Sequence, residues 1–171
     1  MKTILTIPFL LLVMIAGAQT DQGDKLIGGT AGFQTGKNTN QVTIAPTFGI
    51  FAADNLAIGG ALNFNSSKFG DVRSTTFGLG PFVRYYIGKA DTKPFLVSEF
   101  DILSTSSKTG STKISSNGFG FLLGLGFAAF INESVAVEGI SGYNYSKFKD
   151  VDGSSGFALR FGFQVYLNRH S

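Results

Sequence analysis

An all-β fold, a closed antiparallel up-and-down transmembrane β-barrel of eight strands, is predicted by three observations on the sequence. Beyond Leu26, large apolar residues alternate with small or polar ones over most of the chain, the period-two pattern of strands with two unlike faces. The connections between these segments are short at one end of the hairpins and long and polar at the other, the asymmetry of outer-membrane barrels. After the N-terminus no apolar run approaches the ~20 residues of a membrane helix, so any span must be built from strands closed on themselves.

The N-terminal segment stands apart. Lys2, the short apolar stretch 4–15 and Ala16-Gly17-Ala18 follow the plan of a secretory signal peptide, with a positive start, an apolar centre and a small-residue cleavage site. Residues 1–18 are therefore expected to direct export, and residues 19–171 to form a single barrel domain. With no Cys in 171 residues, disulfides, thiolate chemistry and a lipidated N-terminal Cys are excluded.

The strands follow in order. Ile27, Gly29, Ala31 and Phe33 open the series, and Val42, Ile44, Pro46, Phe48 and Ile50 then oppose Thr43, Ala45, Thr47 and Gly49. After an Asp54-Asn55 turn, Leu56, Ile58, Leu62 and Phe64 oppose Ala57, Gly59, Ala61 and Asn63; next, Phe77, Leu79, Pro81, Val83 and Tyr85 oppose Gly78, Gly80, Phe82 and Arg84. The fifth segment is the least regular, with Leu96, Ser98, Phe100 and Ile102 against Phe95, Val97, Glu99 and Asp101. Phe119, Phe121, Leu123 and Leu125 then alternate with Gly120, Leu122 and Gly124, and Val135 and Val137 with Ala136 and Glu138. The last segment has the clearest period, Phe157, Leu159, Phe161, Phe163, Val165 and Leu167 against Ala158, Arg160, Gly162, Gln164 and Tyr166. Segments 66–74, 104–117 and 146–155 are expected as long polar loops, and Pro46 and Pro81 as bulges, since a closed barrel has no free edge to spare a backbone donor.

Composition decides which face meets lipid. Charged residues are 15% and hydrophobic residues 43%, and the second face carries mostly Gly, Ala, Thr and Asn, not the dense charge of a water-exposed surface. Small residues fit a crowded lumen, because an eight-stranded barrel is only just wide enough for side chains to fill it. The apolar face then meets lipid. A lipocalin-like periplasmic binder, with that face lining a cavity, is the soluble alternative. The net charge of +3, with no run of Lys and Arg, gives no reason to expect a nucleic-acid partner.

The segment Phe77-Gly78-Leu79-Gly80-Pro81-Phe82-Val83-Arg84-Tyr85-Tyr86, the strand start Lys93-Pro94-Phe95 and the closing Gly162-Phe163-Gln164-Val165-Tyr166-Leu167 resemble the outer-membrane β-barrel domain family common in Bacteroidetes. The resemblance covers nearly the whole chain past the leader. It implies residence in the outer membrane and insertion by the barrel-assembly machinery, with the last strand as the recognition signal. The chain departs from the family's pattern by running past Leu167 into Asn168, Arg169, His170 and Ser171.

No catalytic constellation stands out. The single His, His170, lies beyond the last strand with no hydroxyl placed for it, so it reads as a tail residue and not as a base. Neither a cofactor nor a metal is expected. Arg84, Glu99, Glu138 and Arg160 fall on the inward face, where a charge needs a partner or water. Hairpin geometry predicts Arg84 beside Glu99 and Glu138 beside Arg160, as a salt-bridged plug or as the lining of a narrow porin-like conduit. The loops carry Lys37, Lys68, Arg73, Lys108, Lys113, Lys147 and Lys149 against Asp71, Asp150 and Asp152. Lys108, Lys113, Lys147 and Lys149 are candidate contacts for lipopolysaccharide phosphates. The expectation is a monomeric, non-enzymatic membrane protein whose partners are outer-membrane lipid and lipopolysaccharide.

Overall fold

The computed structural model describes residues 20–36, 39–69, 72–88, 90–109, 112–149 and 152–167. The expected leader, the loop residues Lys37, Asp71 and Asp150, and the C-terminal residues including His170 lie outside them. Eight strands run among the described residues: β1 (Lys25–Gly36), β2 (Thr39–Ala53), β3 (Leu56–Phe69), β4 (Val72–Tyr86), β5 (Thr92–Thr109), β6 (Thr112–Phe130), β7 (Val135–Phe148) and β8 (Ser154–Leu167). Each pairs antiparallel with its neighbours in the chain, and β8 pairs with β1 to close the barrel. Closure is what lets this sheet sit in hydrocarbon, where an unpaired backbone N–H or C=O has no water to turn to. The closing seam is short, running only from Lys25 to Phe33 on β1, whereas β5 and β6 pair continuously from Thr92 to Thr109.

The alternation in the sequence becomes the two faces of the wall. On β2, Thr43, Ala45 and Thr47 are buried, while Val42, Ile44, Phe48 and Ile50 are 42–59% exposed. Side chains of this kind left bare on every strand form a continuous apolar belt, far beyond the patch a water-soluble monomer tolerates. In the irregular β5, Phe95, Val97, Glu99 and Asp101 are buried and Leu96, Phe100 and Ile102 face outward. The lipocalin-like arrangement is thereby removed, because the large apolar face lies outside the barrel and not around a cavity.

Two sequence expectations are corrected. The segments read as long loops are mostly strand. β3 continues to Phe69 before β4 begins at Val72, β5 runs to Thr109 before β6 begins at Thr112, and β7 reaches Phe148 before β8 begins at Ser154. Pairing persists through Ser104 with Asn117, Thr105 with Ser116 and Ser106 with Ser115. The physical reason is that spanning hydrocarbon takes only about 9–11 strand residues. Past that height both faces meet water, so the hydrophobic alternation stops while backbone pairing goes on. The prolines, in turn, make no bulge. Pro46 lies within the skipped rungs between Ile44–Phe64 and Thr47–Ala61, and Pro81 within those between Leu79–Ile102 and Phe82–Glu99. Register is unchanged on both sides, because each proline stays paired with its other neighbour, Gly29 or Gly60.

The short-turn end is closed by more than turns. Asn55 takes the left-handed conformation at φ 63°, which Asn tolerates better than most residues, and its amide donates to the Thr20 carbonyl at 2.7 Å. Thr20 and Asp24 are buried there, with Gly23 N–H donating to Phe51 O and Phe51 N–H to Asp24 O, both at 2.9 Å. The chain entering β1 therefore folds under the barrel mouth.

Inward glycines make room for inward rings. A Cβ on Gly126 would run into the ring of Phe95, whereas a Cβ on outward-facing Gly60 would meet nothing closer than the Gly80 carbonyl oxygen at 3.9 Å. Gly126→Val is expected to lower stability by about 1–3 kcal/mol through overpacking, and Gly60→Val to change it by less than about 0.5 kcal/mol. Urea unfolding of both variants in lipid vesicles checks the contrast.

Candidate functional site

The lumen is built in three storeys. The lowest, at the short-turn end, is aromatic. Phe51, Phe82, Tyr86, Phe95 and Tyr166 are each no more than 2% exposed, and Tyr86 lies 5.0 Å from Phe95 and 5.5 Å from Phe51 between ring centroids. Lys93 is drawn into this layer: it is buried, donates to Thr20 Oγ1 at 3.0 Å and lies 5.6 Å from the Phe130 ring centre. Lys93, at the strand start Lys93-Pro94-Phe95, shares its inward parity with Phe95 and Val97. That parity was the available signal.

Glu138 sits in the same layer and is fully buried. It accepts from Arg84 Nη1 through Oε2 at 2.8 Å and from the Tyr166 hydroxyl through Oε1, also at 2.8 Å. The Tyr86 hydroxyl lies 3.1 Å from that of Tyr166. Arg84 is flanked by the rings of Phe82 and Phe95 at 5.0 and 5.3 Å, and its Nε has no hydrogen-bond partner. The guanidinium is thus held by one carboxylate and two aromatic faces.

The middle storey is polar. Arg160 Nη1 donates to Glu99 Oε1 at 3.0 Å and Oε2 at 3.3 Å. The Asn63 amide bridges two carboxylates, donating to Glu99 Oε1 and Asp101 Oδ1, both at 2.9 Å. Gln164 Nε2 donates to Thr47 Oγ1 at 3.0 Å.

The expected pairing of the four lumen charges is corrected in its partners. Arg84 and Glu99 are diagonal neighbours, since Arg84 opposes Val97, and Glu138 and Arg160 are diagonal likewise, since Glu138 opposes Gly162. The ion pairs instead cross the lumen, from β4 to β7 and from β8 to β5. Inward side chains of a narrow barrel converge on its axis, so the tip of a long Arg side chain lies nearer to strands across the axis than to the carboxylate beside its own root. Both ion pairs are buried, and the lower one lies among aromatic rings that are themselves no more than 2% exposed.

Above these pairs the lumen opens into a cup of about 370 Å³ lined by Thr43, Asn65, Ser74, Thr76, Thr105 and Ser107 together with the apolar Leu103, Ile114 and Phe148, and by Asn63, Asp101 and Arg160. The extended hairpins form its wall. No cluster of side chains suited to a metal occurs among the described residues.

The rim cations are exposed: Arg73, Lys108, Lys113, Lys147 and Lys149 all face solvent. Three of them form a row along the hydrogen-bonding direction, because Arg73 opposes Lys108 and Lys108 opposes Lys113. Like charges set directly opposite one another destabilise a sheet. Lys147 instead opposes Phe119, at the upper edge of the apolar belt.

Fold and lumen together define a small plugged barrel of the outer-membrane type. Among solved structures, the chain is similar to Neisserial surface protein A (NspA), with a TM-score of 0.64 and 17% identity over 84% of this chain and 97% of that one. The N-terminal barrel domain of Pseudomonas aeruginosa OprF gives 0.61 and 11% over 85% and 98%, and Ail, the attachment invasion locus protein of Yersinia pestis, gives 0.55 and 12% over 85% and 99%. At these identities the likeness establishes the fold. No protein-family model matches the chain, and no curated protein does.

The crossed pairing is directly testable. In a double-mutant cycle, Arg84→Ala and Glu138→Ala are each expected to cost about 3–5 kcal/mol, since each leaves a buried charge alone. Their coupling should far exceed that between Arg84→Ala and Glu99→Ala. Unfolding free energies in vesicles for the two cycles decide it; stronger coupling in the second would restore the neighbour pairing.

Proposed function

We propose that the chain is an exported, integral outer-membrane protein that acts as a sealed element of the membrane wall and as a platform for tall polar hairpins with structural, adhesive or lipopolysaccharide contacts. The observation that carries this is the combination in one molecule of an outward apolar belt and a lumen that holds cross-barrel ion pairs and packed aromatic rings. The names of two structural neighbours, a surface protein and an attachment protein, favour a role at the cell exterior. The reading includes export directed by residues 1–18, insertion by the barrel-assembly machinery, a monomeric state and membership of the Bacteroidetes-type barrel family, the last supported by the motif at residues 77–86. It includes no catalytic step.

The row Arg73, Lys108 and Lys113 supports the lipopolysaccharide part. Three adjacent cations raise each other's energy, and a phosphate bridging them would relieve that repulsion by charge-assisted hydrogen bonds. Lys147 and Lys149 extend the positive rim.

Two experiments test these readings. The protein should fractionate with outer membranes, require detergent for extraction and show no steady conductance in planar bilayers; release as a soluble periplasmic protein, or a stable open channel, would refute the sealed wall. Neutralising Lys108, Lys113, Lys147 and Lys149 together should weaken binding to lipopolysaccharide at low salt, with the difference shrinking once the screening length falls to about 8 Å near 0.15 M salt. Unaltered low-salt binding would remove the cationic rim from the proposal.

A further inference from the structure

We infer that the upper edge of β6 receives an extended acidic segment of another protein by strand addition, with alternate apolar side chains of that segment facing inward over Ile114 and Phe148. This goes beyond the sealed-wall reading and does not depend on which side of the membrane the hairpins face.

The edge arises because β6 is paired unequally on its two sides. Toward β5 it is paired without a break from Thr112 to Ala129. Toward β7, pairing begins only at Gly118, opposite Phe148, and above it the Lys149 N–H donates to the Asn117 carbonyl at 2.9 Å. Successive residues of an antiparallel strand turn their N–H and C=O to opposite sides. Lys113 and Ser115 share the parity of Asn117, so their backbone donors and acceptors point away from β5, and no described residue pairs with them there. Only residues 150 and 151 separate Lys149 from Asp152. At about 3.5 Å per residue they are too few to follow β6 up to Lys113 and return.

Two side chains select the partner. On the outward face Lys113 ends a row of cations: Lys68 opposes Arg73, Arg73 opposes Lys108, and Lys108 opposes Lys113. A strand laid beside β6 sets one side chain directly opposite Lys113, and an acidic one there replaces repulsion by attraction. On the inward face Ile114 is 67% exposed and lines the cup together with Phe148. A strand continuing the line of β7 upward, antiparallel to β6, sets its inward side chains beside Ile114 and above Phe148, where apolar residues would bury both. The edge therefore reads alternating acidic and apolar residues, with main-chain bonds for affinity and the two faces for specificity.

A second copy of the chain does not fit. Two barrels upright in one membrane bring their β6 edges together in parallel, with the two Lys113 side chains close to one another. A Lys on a free edge opposes that pairing.

The test is fluorescence anisotropy of a capped, dye-labelled peptide of alternating Glu and Val, titrated with the barrel in an uncharged detergent. This peptide should bind saturably. A Lys-Val peptide, and the Glu-Val peptide N-methylated at its glutamates, should each bind at least about tenfold more weakly, the first through charge and the second through lost backbone donors. Ser115→Pro removes an edge-facing N–H and no bond to β5, and should weaken the Glu-Val peptide by a similar factor. Lys113→Glu should reverse the preference between the Glu and Lys peptides. Mobility on unheated gels reports the folding of both variants, and the N-methylated probe, which needs only the unaltered protein, remains decisive if Ser115→Pro does not fold. No saturable binding of the Glu-Val peptide, equal binding of the Lys-Val peptide, or equal binding of the N-methylated peptide would each overturn the proposal. Binding lost in Lys113→Glu but unchanged in Ser115→Pro would overturn it too, leaving a charged patch open equally to lipopolysaccharide phosphates.

Discussion

The lumen is organised around one carboxylate. Glu138 is fully buried in the aromatic storey and ties β7 to β4 through Arg84 and to β8 through Tyr166. A charge in such a place is tolerated only while every acceptor lone pair it turns inward is met. That demand sets the neighbours: Arg84 must reach across the axis, Phe82 and Phe95 must flank it, and Gly126 must stay small to admit the Phe95 ring. The inward Gly49, Gly59 and Gly126 are the complement of this cluster, since a Cβ on each would meet the ring of Phe82 or Phe95.

The plug divides the barrel into halves of unlike chemistry. Below, rings and one ion pair are packed tightly enough to exclude solvent; above, hydroxyls and amides share the lining of open space with Leu103, Ile114 and Phe148. The two are joined by Arg160, which reaches Glu99 in the middle storey and also forms part of the cup floor.

Much of this was legible in the sequence, and what was not has definite causes. Strand number, the outward belt and the inward parity of Arg84, Glu99, Glu138 and Arg160 follow from a period of two, which is local. The ion partners were misassigned because sequence reasoning about hairpins sees adjacent strands, whereas closure brings together β4 with β7 and β5 with β8, separated by 54 and 61 residues. The heights of the hairpins were missed because Ser104, Thr105, Ser115 and Ser116 are polar on both faces, so paired backbone and free loop read alike. Burial of Lys93 was hidden for the opposite reason: a Lys beside a turn is ordinarily solvated, and only the Thr20 segment folding beneath the mouth gives it a partner.

The unequal seams of the sheet have a mechanical meaning. Where β5 and β6 are held by a ladder running their full length, β1 and β8 meet only from Lys25 to Phe33. The two chain ends thus share the shortest joint in a wall whose other joints are all covalently continued by hairpins. A sheet growing from the middle outward would arrive at that joint last, and a barrel under lateral tension would part there first. The same nine-residue stretch of β1 is thus the clasp of the finished cylinder.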